Sequence, residues 1–233
     1  MQLVITNDDG IDAPGLGALT QAAAGLGTAI VIAPAAAQSG VGHMLTTDTP
    51  IAVDAVAPQR YRVDGRPADC TRIALTHLVP DAAWLLSGVN HGANLGVDVY
   101  TSGTVAAARE AALLGCRALA ISQYIGRERA LDWELTARRA AAVLRLLCAR
   151  ELEPGHFWNV NLPHPDDDAV DLPIVFCAID TRPHAVRYQR TGDVYVYQGD
   201  YHARPRQPGR DVDVCMRGEI AVTKVTLEIA AAG

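Results

Sequence analysis

Apolar and polar positions along this chain fall into two alternating textures. Leu3–Thr6 and Thr28–Ala33 (TAIVIA) are short, β-branched and apolar throughout. Strands buried on both faces of a parallel sheet have this composition. Between them Leu16, Leu19, Ala23 and Leu26 recur at helical spacing, with Asp12 as N-cap, Pro14 in the first turn and Gly25 or Gly27 at the end. Strand, helix, strand makes a βαβ unit. The alternation continues with a helix over Ala68–Val79 and a strand over Trp84–Val89 (WLLSGV). A glycine-rich loop follows from Gly88 to Gly103, then a helix (TVAAAREAALLG) capped by Thr104 and stopped at Gly115. Ala118–Ser122 reads as another apolar strand and Trp133–Arg150 as a long amphipathic helix. Such alternation predicts a doubly wound α/β fold, three layers with a mostly parallel sheet in the middle.

After about Pro163 the texture changes. Asp166, Asp167 and Asp168 read as a solvated turn, and Arg190–Asp200 (RTGDVYVYQGD) as an exposed two-sided strand or hairpin. Asp211–Ile229 alternates in the manner of antiparallel strands. The expected division is a catalytic core over 1–163 and, over 164–233, the last core strand or strands plus a β appendage. That appendage has the look of an arm that pairs with another subunit, within one domain overall.

Composition narrows the possibilities. The 233 residues are 49% hydrophobic, enough for a sizeable core, and carry a formal net charge of −6. An acidic chain argues against binding duplex nucleic acid through its phosphates, which calls for a basic face. Of the 20 lysines and arginines only Lys224 is a lysine, and no P-loop motif occurs. Five dispersed cysteines without a C-x-x-C pair suit reduced thiols in the cytoplasm. No basic leader precedes the first apolar run, and no apolar run approaches the length of a membrane span.

The candidate chemistry lies in three loops. In an open α/β sheet, ligands bind at the carboxyl ends of the strands. Asp8 and Asp9 stand there after the first strand, Ser39 and Gly40 follow the second, and Asn90 ends the strand LLSGVN. Two carboxylates, a hydroxyl and an amide carbonyl form an all-oxygen set suited to Mg2+ or Mn2+. The competing meaning of Asp-Asp-Gly is an ordinary turn. In SGVNHGANLGVDVYTSGTVAAAREA, Ser102, Gly103 and Thr104 begin a helix, where free N–H groups favour phosphate. A plain Thr cap is the alternative. His43 and His91 lie in the same loops and are candidates for a phosphate bond or proton relay. Asp69 reads as a helix cap, and Tyr195 and Tyr197 as interface residues.

Four stretches together, ITNDDGIDAPG, APAAAQSGVGH, GRPADC and SGVNHGANLGVDVYTSGTVAAAREA, resemble the SurE family of metal-dependent 5'/3'-nucleotidases. The segment WNVNLP (Trp158–Pro163) is also similar to that family's NVNLP. The resemblance implies a Rossmann-like core with a β appendage used in assembly, as a homodimer or homotetramer. It implies one divalent cation, Mg2+ or Mn2+, and hydrolysis of nucleoside 5'- and 3'-monophosphates. By position, the metal ligands fall on Asp8, Asp9, Ser39 and Asn90, with Asp8 and Asp9 catalytic. The phosphate contacts fall on Gly40, Asn94, Ser102, Gly103 and Thr104. There are departures: Thr101 stands where the family has tyrosine before SGT, Arg210-Asp211 where it has TD, and Ala221–Val225 (AVTKV) where it has SVTPL. The implied mechanism is attack by metal-activated water. Its rivals are a covalent aspartyl-phosphate on Asp8 and a nucleotide-binding regulatory module without turnover.

Overall fold

A computed structural model describes residues 1–165, 167–183 and 186–228. Asp166, expected in a turn, and Ile229, the end of the last alternating stretch, lie outside the described residues. In chain order the strands are β1 (Gln2–Thr6), β2 (Thr28–Pro34), β3 (Val53–Ala57), β4 (Arg60–Val63), β5 (Trp84–His91), β6 (Ala118–Gln123), β7 (His156–Leu162), β8 (Ile174–Phe176), β9 (Tyr188–Thr191), β10 (Val194–Tyr197) and β11 (Ile220–Thr226). The helices are α1 (Pro14–Ala23), α2 (Pro67–Ile73), α3 (Gly103–Leu113), α4 (Trp133–Cys148) and α5 (Asp211–Met216).

Nine strands form one sheet in the order β3-β4-β2-β1-β5-β6-β7-β11-β8. From β4 to β7 every neighbour is parallel. Order reverses between β1 and β5, and at such a switch point the loops leaving the strands diverge and open a crevice. Alternate residues of each strand feed opposite layers. Leu3 and Ile5 pack with Leu16, Leu19, Val143 and Leu144 under α1 and α4, while Val4 packs with Cys70, Val105 and Ala108 under α2 and α3. These two fully buried layers explain why the core strands are apolar without a break.

The C-terminal part departs from the sequence reading. Asp211–Met216 is a helix, not a strand, and only Ile220–Thr226 is extended. The stretch DVDVCM satisfies both periods: Val212 and Cys215, three apart, are both buried in a third cluster with Leu95. β11 runs antiparallel to β7 and parallel to β8, so both belong to the main sheet. The hairpin β9–β10 forms a two-stranded sheet of its own, exposed along its length.

Three local expectations also change. Ala13, not Asp12, precedes α1, and the Asp12 side chain is exposed beside Arg60. The predicted helix over Ala68–Val79 splits into α2 and a wider π-type turn over Ala74–Leu78. Ser102, not Thr104, caps α3: its hydroxyl accepts the Val105 N–H at 3.1 Å. No helix among the described residues is long and apolar enough to cross a membrane.

Candidate active site

The first strand ends in a clasp. Asn7, fully buried, donates to the Gly10 carbonyl at 2.9 Å and accepts the Gly10 N–H at 3.2 Å. Gly10 has φ +101°, and a Cβ there would lie 3.2 Å from the Ala36 backbone. The Gln38 N–H binds the Asp8 carbonyl at 2.6 Å, tying the turn to the loop after β2. The two carboxylates are therefore held by backbone geometry, which a simple solvated turn would not provide.

Asp8 is 5% exposed. The Thr104 hydroxyl donates to its Oδ1, and Gly103 packs so closely that a Cβ there would sit 2.8 Å from Oδ2. Burial raises the Asp8 carboxyl to a pKa of about 6, the Thr104 hydrogen bonds pull it back down, and the like charge of Asp9 adds to the rise. Asp9 is half-buried, and its Oδ2 accepts the His91 N–H at 2.9 Å. Asn90 donates from Nδ2 to the Gly92 carbonyl at 2.7 Å, which commits its nitrogen and leaves its carbonyl oxygen to offer. The β5–β6 register shifts between Ser87 and Asn90, and the Gly88–Val89 peptide is cis.

Asp8, Asp9, Ser39, Gly40, Asn90, Asn94 and Ser102 all line one cleft of about 660 Å³, counting its open mouth. Ser39 and Gly40 are exposed on one rim. Gly103 and Thr104 lie beneath the floor, buried, and the Thr104 hydroxyl is turned toward Asp8 rather than the cleft. Thr104 thus acts on the carboxylate, while the start of α3 lies under the cleft.

Asn94 is fixed by three residues that sequence reasoning did not single out for the site. Its N–H binds Asn161 Oδ1 at 2.8 Å, its Nδ2 donates to Ser122 Oγ at 2.8 Å, and its carbonyl accepts from Asn159 Nδ2 at 2.9 Å and Asn161 Nδ2 at 3.1 Å. All three partners are fully buried. The available signal was WNVNLP itself, since asparagine is depleted in strands and two on one face of β7 call for a polar task.

The two histidines separate. His43 does not line the cleft. Its Nδ1 lies 3.4 Å from Arg109 Nη1, and its Nε2 lies 2.6 Å from Glu110 Oε2. A guanidinium only donates, so Nδ1 accepts and Nε2–H faces the carboxylate. Arg72 Nε binds the other Glu110 oxygen at 2.6 Å. His43 is a brace for the loop after β2. His91 lines the cleft with its ring exposed, 6.2 Å from that of Trp133. Asp69 belongs to the start of α2, where it accepts the Arg66 N–H at 2.9 Å and also binds Thr46. Tyr195 and Tyr197 are exposed on the hairpin.

The donor set fits a hard divalent cation. Its members are all oxygens, and a buried carboxylate beside a second one lacks an opposite charge. No lysine or arginine lines the cleft among the described residues. Those residues also hold no group of three or more His, Cys, Asp or Glu suited to a metal. Ser39 and Asn90 line the same cleft and carry further side-chain oxygens.

Comparison with known proteins gives a consistent picture. Residues 3–184 match the family described as "Survival protein SurE". A protein of Nostoc sp., named provisionally as a 5'-nucleotidase, is 50% identical over 97% of this chain and 99% of its own. The 5'-nucleotidase SurE of Paramagnetospirillum magneticum is 36% identical over 98% of this chain and 91% of its own. The crystal structure of the SurE protein from Aquifex aeolicus superposes with a TM-score of 0.87 at 29% identity, covering 99% of this chain and 95% of that one.

Proposed function

The chain belongs to the survival protein SurE family, and on that premise we propose that it is a 5'-nucleotidase, a divalent-metal-dependent phosphomonoesterase. Its substrates are nucleoside 5'- and 3'-monophosphates, and its products nucleoside and phosphate. Asp8, Asp9, Ser39 and Asn90 would hold one Mg2+ or Mn2+. When bound, that ion supplies charge neutralisation and polarises water and a phosphoryl oxygen.

The chain's own residues do the positioning. Thr104 and Gly103 fix the Asp8 carboxyl from below, and the His91 N–H fixes Asp9 from the side. Of the two acids Asp9 is the more open to water, so it is the one to orient the attacking molecule or take its proton. Asn94, Ser102, Gly40 and the start of α3 hold the phosphate oxygens. Little else is required, because phosphoryl transfer passes through a loose transition state governed by position and charge. Direct attack by Asp8 is disfavoured by its burial and its bond to Thr104.

One observation carries the proposal: oxygen donors from three separate strand ends meet in a single cleft beside the start of α3, without a lysine or arginine among its described lining residues. Phosphate release from a panel of 5'- and 3'-nucleotides, with Mn2+ or Mg2+ and with EDTA, tests it. Turnover should need the metal; turnover indifferent to EDTA, or none at all, would reject it. The division proposed for the chain is a catalytic core over 1–163 and a C-terminal 164–233 whose hairpin serves assembly. The exposed Tyr188, Val194 and Tyr195 of β9–β10 support pairing with a second copy, as a dimer or tetramer. Light scattering of the purified protein against a hairpin-deleted variant tests that assignment.

A further inference from the structure

The catalytic cleft reaches as far as Asp98, and a second cavity begins there. It lies between the 3-10 turn Gly96–Tyr100 and the C-terminal segment, and encloses about 550 Å³ counting its open mouth. Asp98 lines both, so the two cavities share a wall. The second is walled by Tyr197, Tyr201, Arg182, Arg204 and Asp180.

Its floor is flat and fixed. The Arg204 guanidinium lies 5.0 Å from the centroid of the Tyr201 ring. Its Nη1 binds Asp98, and its Nη2 donates to the Leu95 carbonyl at 3.3 Å. Gly96, at φ +57°, makes this possible: a Cβ there would meet Arg204 Nη2 at 3.3 Å and the Asp180 carbonyl at 2.7 Å. Asp180 is spent on the backbone, accepting from Arg182 N at 3.0 Å and Gln207 N at 2.7 Å. Around this floor Asp98 is paired with Arg204, and Asp200 with Arg127. Arg182 and Asp180 add one charge of each sign to these pairs, so the charges around the cavity balance and leave little net attraction for a phosphate. A planar neutral group is what a guanidinium–tyrosine stack receives best.

We infer that this second cavity takes the nucleoside part of the substrate, with the base stacked on the Arg204–Tyr201 floor and the phosphate across Asp98 in the metal cleft, an inference that rests on the nucleotidase function proposed above. Arg204 and Tyr197 then determine how well a nucleotide is preferred over a phosphate ester without a base.

The discriminating variant is Arg204→Lys, which keeps a positive partner for Asp98 but loses the plane. Tyr197→Ala, on the exposed hairpin, is the second. In Mn2+, KM for AMP should rise about tenfold in Arg204→Lys, the scale of one lost base stack. Meanwhile kcat and the inhibition constant of inorganic phosphate should stay within about twofold. Adenosine alone should give saturation-transfer NMR signals with the metal-free protein, weakened in both variants. Unchanged KM for AMP in both variants, or a rise in His91→Ala instead, overturns the inference and leaves the nucleotidase function standing. Adenosine binding that is lost in Arg204→Lys, in a protein without AMP turnover, supports the cavity and sinks the hydrolase. Failure of adenosine to bind the wild-type protein, with or without Mn2+, overturns the inference.

Discussion

Replacing Asp8 by asparagine should make the metal-free protein more stable and the enzyme inert. The Asp8 carboxyl is raised from 3.8 to about 6, chiefly by burial. At 1.36 kcal/mol per unit, that rise is about 3 kcal/mol weighing on the ionised form in the fold. For a raised carboxyl the penalty is absent below the unfolded value, near 3.8, and complete above the folded one. Stability should therefore fall as pH rises between about 4 and 6.5, and Asp8→Asn should abolish that component. Asparagine keeps an acceptor for the Thr104 hydroxyl but adds two donors that need partners, so the net gain should be about 1–2 kcal/mol. In a chain this long that is a rise of roughly 3–6 °C in Tm, measured in EDTA at pH 7.5. Added Mn2+ should then raise the wild-type Tm and not the variant's. AMP turnover should vanish. A variant less stable than the wild type in EDTA, or one still stabilised by Mn2+, would refute the placement of Asp8 as a buried, unneutralised ligand.

Three further perturbations probe its supports. Gly103→Ala places a methyl 2.8 Å from Asp8 Oδ2 and 3.2 Å from Pro67 Cγ; thermal melts should show about 1–3 kcal/mol of overpacking. Manganese titration of the same variant should show affinity down at least tenfold. Asn161→Ala leaves the Asn94 N–H without its acceptor, at about 1–3 kcal/mol, and steady-state kinetics should show KM for AMP rising more than kcat falls. Glu110→Ala removes the partner of His43 and Arg72 at once; urea denaturation should register about 1.5–3 kcal/mol. KM should rise modestly as the loop bearing Ser39 loosens, whereas a catalytic role for His43 predicts collapse of kcat.

Much of this architecture is legible in the order of residues because each core strand is buried on both faces. Leu3–Thr6, Thr28–Ala33 and Ala118–Ser122 have no polar alternation to confuse with anything else. Placing Asp8, Ser39 and Asn90 at adjacent strand ends follows from that, once the strands are parallel. Short elements defeat the same logic. DVDVCM alternates and also repeats at three, and its fate is decided by contacts made far away: Asp211 accepts N–H groups from Gly96 and Asp180, both at 2.7 Å. The division of labour at the start of α3 was equally hidden. Ser102 and Thr104 carry similar hydroxyls two residues apart, and only the approach of Asp8 decides which one caps and which holds the carboxylate.

The asparagine knot around residue 94 has a consequence for how the enzyme comes into being during synthesis. Asp8, Asp9, Ser39 and Asn90 are all translated early, and Ser122 arrives with β6, yet the two side chains that hold the Asn94 backbone arrive with β7, some 65 residues later. A nascent chain that has emerged only through β6 has both acids and Ser122 in hand, while the Asn94 backbone still lacks its partners. The bonds that fix the Asn94 backbone can close only after β7 has left the ribosome and docked beside β6.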